Sequence, residues 1–214
     1  MAYLGGSVSF PYWIARRAGV DLRHAGARKL GGSNLARTVS PAAGVAGGLL
    51  DAAKGPAAIV AARAAGLPED VALACGLAAV AGQMWPVFHG FDGGRGNATG
   101  WAALLAVDLA ASAVAAIPLV AAVLLRAAVR PHPTRLLPVA ALLTFSVWSA
   151  ALSEQDGATS RVGFGIALLV LVIARRITAG LRDDLRTGAP PLRVVANRAL
   201  FDRSELQRRG EVPL

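Results

Sequence analysis

Three polar clusters interrupt an otherwise apolar chain. The first, Arg28-Lys-Leu-Gly-Gly-Ser-Asn-Leu-Ala-Arg37, sets a glycine pair before Ser33, Asn34 and an arginine. Glycines 31 and 32 permit a bend that turns successive backbone N–H groups toward an anion. Ser33 and Asn34 add neutral donors, and Arg37 adds a planar fork of donors matched to phosphate. A basic segment drawn to anionic lipid headgroups reads the same way. The second cluster, Asp51-Ala-Ala-Lys54-Gly55-Pro56, puts opposite charges on one helix face. Within an apolar span such a pair marks either a functional site or an ion pair that fixes helix register. Pro56 predicts a kink just beyond it.

The third cluster runs Gly82-Gln-Met-Trp-Pro-Val-Phe-His-Gly-Phe-Asp-Gly-Gly-Arg-Gly-Asn-Ala-Thr-Gly100. A Gly93-Gly94-Arg95-Gly96 turn entering a helix presents backbone N–H groups, a guanidinium and the positive end of a helix dipole. Trp85, Phe88 and Phe91 fit a membrane–water interface. A plain glycine-rich turn under an aromatic belt explains the aromatics well and the Gly-Gly-Arg-Gly poorly. His24, His89 and His132 are dispersed without metal-ligand spacing, so no metal site is expected. No Gly-x-Ser-x-Gly and no P-loop is present. Cys75, the single cysteine, allows no internal disulfide and reads as a packing residue.

The elements that must position these clusters are membrane helices. Of 214 residues, 55% are hydrophobic and 16% charged, with a mean hydropathy of +0.51. A soluble domain runs nearer a quarter charged, and disorder is excluded by the apolar content. Apolar spans are expected over about 39–62, 71–88, 136–152 and 162–174. The stretch 98–125 is long for one crossing and short for two. Asp108 within it is expensive in lipid, so a turn is expected there, between a short helix and a longer one. Residues 1–15 are short for a crossing and carry Gly5, Gly6 and Pro11. Counting them as a segment or half-span gives an all-α, polytopic bundle of about seven membrane segments, some short or interrupted.

The net charge of +9 invites a nucleic-acid reading, but charge placement argues against it. If the segments alternate, the loops 16–38, 89–97 and 126–135 and the tail from 175 share one side. That side then holds 19 of the 22 Lys and Arg residues. Positive-inside asymmetry makes that side cytoplasmic, giving a multi-pass cell-membrane protein with its C-terminus in the cytoplasm. Alanine and glycine at this density suit close helix packing in lipid. Residues 1–187 read as the membrane domain. Residues 188–214 read as a cytoplasmic tail, a solvated appendage in preference to a membrane-surface helix.

The three clusters, in this order, resemble the bacterial acyl-phosphate-dependent glycerol-3-phosphate acyltransferases, the PlsY family, over roughly residues 2–188. Gly6-Ser-Val-Ser-Phe-Pro-Tyr-Trp-Ile-Ala-Arg16 is similar to the end of the family's first helix. Ser33-Asn-Leu-Ala-Arg37-Thr is similar to Thr-Asn-x-x-Arg-Thr, Asp51-Ala-Ala-Lys54-Gly55 matches Asp-x-x-Lys-Gly, and Gly93-Gly-Arg-Gly-Asn-Ala-Thr99 is similar to Gly-Gly-Lys-Gly-Val-Ala-Thr. The resemblance implies acyl transfer from acyl phosphate to glycerol 3-phosphate, giving lysophosphatidate, with no cofactor and no metal. It implies Arg37 and Arg95 as the catalytic phosphate clamps. Substrate contacts would come from Ser33, Asn34, Asp51, Lys54, Gly93, Gly94, Gly96, Asn97 and Thr99, and membrane lipids would be partners.

The chain also departs from the family pattern. The family's Ser-Gly-Asn is Ala27-Arg28-Lys29, its Gly-His is Gly82-Gln83, and Asp92 stands where lysine is usual. Arg95 replaces a lysine, and the His-and-Asn motif after the last helix is missing from 175–182. A homologue that binds a phosphorylated lipid or partner without turnover therefore stays open beside the enzyme. A small transporter, suggested by charges at depth, ranks last because no inverted repeat is evident.

Overall fold

The computed structural model describes residues 1–125, 145–151 and 158–201. The basic loop at 126–135, most of the span expected over 136–152 and the chain beyond 201 lie outside the described residues. Every described element is helical, as the apolar spans require. The chain forms two compact units, Met1–Val107 and Asp108–Leu214.

In the first unit the expected opening segment is two helices, α1 (Ala2–Ser7) and α2 (Phe10–Arg17), each too short to cross a bilayer. Val8 is extended between them, and the Ser9 hydroxyl restarts the helix by accepting from Tyr12 N–H (3.3 Å), with Pro11 in the first turn. Helix α3 (Gly32–Thr38) follows a loop, and α4 (Pro41–Ala64) begins at Ser40, whose hydroxyl accepts from Ala43 N–H (3.1 Å). Helix α5 (Glu69–Met84) carries Glu69 and Asp70 in its first turn, where the dipole favours them. It stops short of the expected boundary at 88. Pro86 biases Trp85 toward extended backbone, and a 3-10 turn, Val87–His89, takes over. Helix α6 (Asn97–Val107) completes the unit.

Helices α4 and α5 pack on each other, with α1 against α5, α3 against α4 and α6 against α4. Glycine makes these approaches possible. A methyl at Gly82 would meet the Tyr3 carbonyl and lie 2.9 Å from Ser7 N; one at Gly55 would lie 2.8 Å from the Thr99 carbonyl. The Gly82 contact is backbone against backbone and has little room to relax. Gly82→Val is therefore expected to lower the melting temperature in detergent by several degrees, from an overpacking cost of about 1–3 kcal/mol. Gly48→Ala meets nothing within 4 Å and is expected to leave the melting point equal or higher, because alanine is the better helix former.

Two stretches of the first unit are long and apolar enough to cross a membrane, Pro41–Ala64 and Glu69–His89, and Asn97–Val107 is a shorter apolar helix. Val45, Leu49 and Val60 on α4 are exposed, as lipid contact requires.

The second unit opens where the turn was expected. Helix α7 (Leu109–Leu125) starts after a break at Asp108, whose carboxylate accepts from Ala111 N–H (2.9 Å) and lies 3.7 Å from Arg161. Asp108 thus serves as a helix cap and ion-pair partner. Ala158–Thr178 is a 21-residue helix, with residues 145–151 also helical. Residues 188–214, read from sequence as a tail, begin with a helix, Pro191–Phe201, that packs on Ala158–Thr178. Its Val194 is buried, and its buried Arg198 donates to Asp184 (2.6 Å) and to the Gly180 carbonyl (2.8 Å). These paired groups dock the helix.

Candidate active site

The break between α1 and α2 leaves backbone groups without helical partners inside an apolar bundle, and α4 satisfies them. Lys54 Nζ donates to the carbonyls of Gly6 (3.1 Å) and Val8 (2.6 Å) at the C-terminal end of α1. Asp51 Oδ1 accepts from Phe10 N–H at the start of α2 (3.4 Å) and lies 2.8 Å from Lys54 Nζ. Cation at a helix C-terminus and anion at an N-terminus is the arrangement both dipoles favour. Gln83 on α5 closes the network. Its Nε2 donates to Asp51 Oδ2 (2.7 Å), and its Oε1 accepts from Lys54. Thr99 on α6 donates to the Asp51 carbonyl (2.8 Å). Asp51, Lys54, Gln83 and Thr99 are all buried.

Asp51, Lys54 and Thr99, expected as substrate contacts, here hold α1, α2, α5 and α6 around α4. Asn34, expected likewise, is also hydrogen-bonded within the protein. Fully buried, it accepts from Ala27 N–H (2.8 Å) and donates to the carbonyls of Ala25 (3.0 Å) and Lys29 (3.1 Å). It stitches the loop before α3 into shape. In that loop Arg28 adopts left-handed backbone at φ 53°, a strain of order 1 kcal/mol that persists only where surroundings enforce it. Arg23 is bound bidentately to Asp21 (2.6 and 3.0 Å) and stacks over Tyr12 (5.2 Å). The hydrogen-bonded Arg23 guanidinium holds the Asp21 carboxyl well below the usual carboxylate range.

The glycine turn abuts this frame. Gly94 N–H donates to the Gln83 carbonyl (3.0 Å). A methyl at Gly94 would lie 3.0 Å from Gln83 Nε2 and 3.4 Å from the Leu30 carbonyl, so the turn touches both α5 and the loop before α3. Gly93, Gly94 and Gly96 are buried, and Arg95 is half-buried with Nε and Nη1 away from solvent. Ser33, Arg37 and Asn97 are exposed, Arg37 in the last turn of α3. Between α2 and the 3-10 turn, a cavity of about 520 Å³ is lined by Val8, Tyr12, Trp13, Arg23, Phe88 and His89. Among the described residues, no three His, Cys, Asp or Glu side chains gather as metal ligands.

In the sequence Gln83 stands out only as a departure from the family's Gly-His. A lone glutamine in an apolar stretch, at the end of the helix before the Gly93–Gly96 turn, was the available signal. It became readable once α4 and α5 were packed together.

Fold and site together define an all-helical membrane protein in which the loop before α3 and the glycine-rich turn before α6 abut beside a broken-helix bundle. A family model described as glycerol-3-phosphate acyltransferase matches residues 1–182. The chain belongs to the glycerol-3-phosphate acyltransferase family.

Its relatives include proteins of that name from Desulforudis audaxviator, 33% identical over 81% of this chain and 83% of the relative, and from Thiobacillus denitrificans, 44% identical over 50% of this chain. The match spans little more than half of several curated relatives, 56% of the Thiobacillus denitrificans and Aquifex aeolicus proteins. The fold is similar to the crystal structure of PlsY (YgiH), an integral membrane glycerol 3-phosphate acyltransferase, in its glycerol 3-phosphate form. The TM-score is 0.68 at 29% identity, over 87% of this chain and 89% of that one. The lysophosphatidic acid form gives 0.67 at 28% identity.

Proposed function

We propose that the protein transfers an acyl chain from acyl phosphate to the 1-hydroxyl of glycerol 3-phosphate, a step of phospholipid synthesis. The hydroxyl oxygen forms the new ester bond, the acyl–phosphate anhydride bond breaks, and lysophosphatidate and inorganic phosphate leave, the hydroxyl proton accompanying the phosphate in the overall balance. The observation that carries this reading is the family match over residues 1–182, which includes both anion-directed loops. Acyl phosphate is already activated, so the site needs chiefly to position reactants and stabilise the departing phosphate. In this reading Arg37 and Arg95 grip the phosphates, Ser33, Asn97 and the turn glycines 93, 94 and 96 add donors, and the aromatic-lined cavity admits the acyl chain. The two loops and the C-terminus face the cytoplasm, where soluble glycerol 3-phosphate is reached.

Purified protein is expected to release phosphate from palmitoyl phosphate only when glycerol 3-phosphate is present. Equal release with and without the acceptor refutes the assignment. The replaced residues at 27–29 favour a second reading, a homologue that binds the phosphorylated ligand without turnover. Thermal stabilisation by glycerol 3-phosphate with no phosphate release is its signature.

A further inference from the structure

We propose that Gln83 is the positioning residue of the site, transmitting the geometry of the buried Asp51–Lys54 pair to the turn that carries Arg95. This rests on the acyltransfer reading for its kinetic consequence. The linkage itself is geometric. The Gln83 side chain bridges the pair, donating to Asp51 Oδ2 (2.7 Å) and accepting from Lys54. Its backbone carbonyl accepts Gly94 N–H (3.0 Å), and its Nε2 lies 3.0 Å from where a methyl on Gly94 would sit. One residue thus touches the ion pair with its side chain and the glycine turn with both backbone and side chain. Gln83 is 6% exposed, so water does not replace a lost partner. Because the amide turns its N–H group to the carboxylate and its oxygen to the ammonium, its orientation is set by the pair and cannot reverse without opposing both.

The turn leaves little slack. A methyl at Gly93 would lie 2.5 Å from the Gln83 carbonyl and would also crowd the Pro86 ring. The turn is therefore held against the Gln83 backbone, with the Gln83 amide beside Gly94, and in this proposal the side chain's anchorage to the ion pair fixes that backbone and, through it, the turn that carries Arg95. The titratable groups around the amide are Asp51 and Lys54 on α4, Tyr3 on α1, whose hydroxyl donates to the neighbouring Trp85 carbonyl, and Arg95 one residue past Gly94.

Two variants separate positioning from bulk stability. Gln83→Met keeps the volume and removes both side-chain hydrogen bonds. It is expected to lower kcat for phosphate release about 10-fold or more, with the KM for glycerol 3-phosphate little changed. Gln83→Glu keeps the shape. When neutral, its carboxyl donates to Asp51 and accepts from Lys54 as the amide does; when ionised, it sets two carboxylates against one ammonium. Its rate relative to wild type is therefore expected to rise as the pH falls from about 8 to about 5, a recovery that a merely structural defect does not show. Wild-type-like kcat in Gln83→Met, or a Gln83→Glu ratio that stays flat with pH, overturns the proposal. If the wild type releases no phosphate, the acyltransfer reading has failed, and hydrogen exchange at the Gly94 amide decides the positioning claim. Faster exchange in Gln83→Met supports it, and equal exchange overturns it.

Discussion

Arg37→Ala is expected to reduce glycerol-3-phosphate-dependent phosphate release by about 10²–10³-fold, the cost of removing a preorganised donor to developing charge. The helix that carries Arg37 is held firmly. Helix α3 sits hard on α4, where a methyl on Gly32 would lie 2.7 Å from the Gly44 carbonyl. The loop before α3 is stitched by Asn34 to Ala25, Ala27 and Lys29. Arg37 itself is exposed, so truncating it opens no cavity in the core, and the melting temperature is expected to fall by no more than about 4 °C, far too little to account for the lost rate. Arg37→Lys keeps the charge without the planar fork and should recover only part of the rate. If both arginines grip phosphate as proposed, Arg37→Ala and Arg95→Ala combined should cost less than the sum of their separate effects. Initial rates of phosphate release, measured beside melting curves, test all three. An Arg37→Ala rate equal to wild type removes Arg37 from the site.

Lys54→Met is expected to be the most destabilising single change in the first unit. It strands the Asp51 carboxylate at 3% exposure and leaves the Gly6 and Val8 carbonyls unsatisfied where α1 ends. Breaking one side of a buried ion pair costs about 3–5 kcal/mol, or roughly 6–20 °C in melting temperature for a chain of this size. The double variant Asp51→Asn, Lys54→Met is expected to lose less than Lys54→Met alone. The asparagine amide keeps an acceptor for Phe10 N–H and carries no stranded charge. Melting curves of the two variants and wild type in one detergent decide it. A Lys54→Met protein that melts with the wild type means that the joint between α1 and α2 does not depend on the pair.

Much of the fold follows from patterns local to the chain. The run from Pro41 to Ala64 has the length and apolarity of a membrane helix, and Ser40 and Pro41 mark its start. The break at Asp108 was readable because an ionisable residue in a long apolar run is costly unless the helix ends there. The same one-dimensional logic brought out the three polar clusters, and their order and spacing carried the family resemblance that the match over residues 1–182 bears out.

The working arrangement of those clusters was not readable, because it depends on pairings distant in the sequence. Asp51 and Lys54 announce themselves as a pair by their spacing. That they cap the broken ends of α1 and α2 depends on residues more than 40 positions away. Asn34 resembles a ligand donor in the sequence, and its hydrogen bonds to four backbone groups of the preceding loop appear only once that loop closes on it. Gln83 stands out in the sequence only as a lone amide in an apolar stretch, and its partners appear only when α4 and α5 meet. Periodicity and charge placement write the helices and their membrane setting, since each depends on neighbours within a few turns. Which buried polar atoms serve the protein and which stay available to a ligand is settled by packing, since in a low-dielectric interior every such atom takes whatever partner the assembled helices bring within reach.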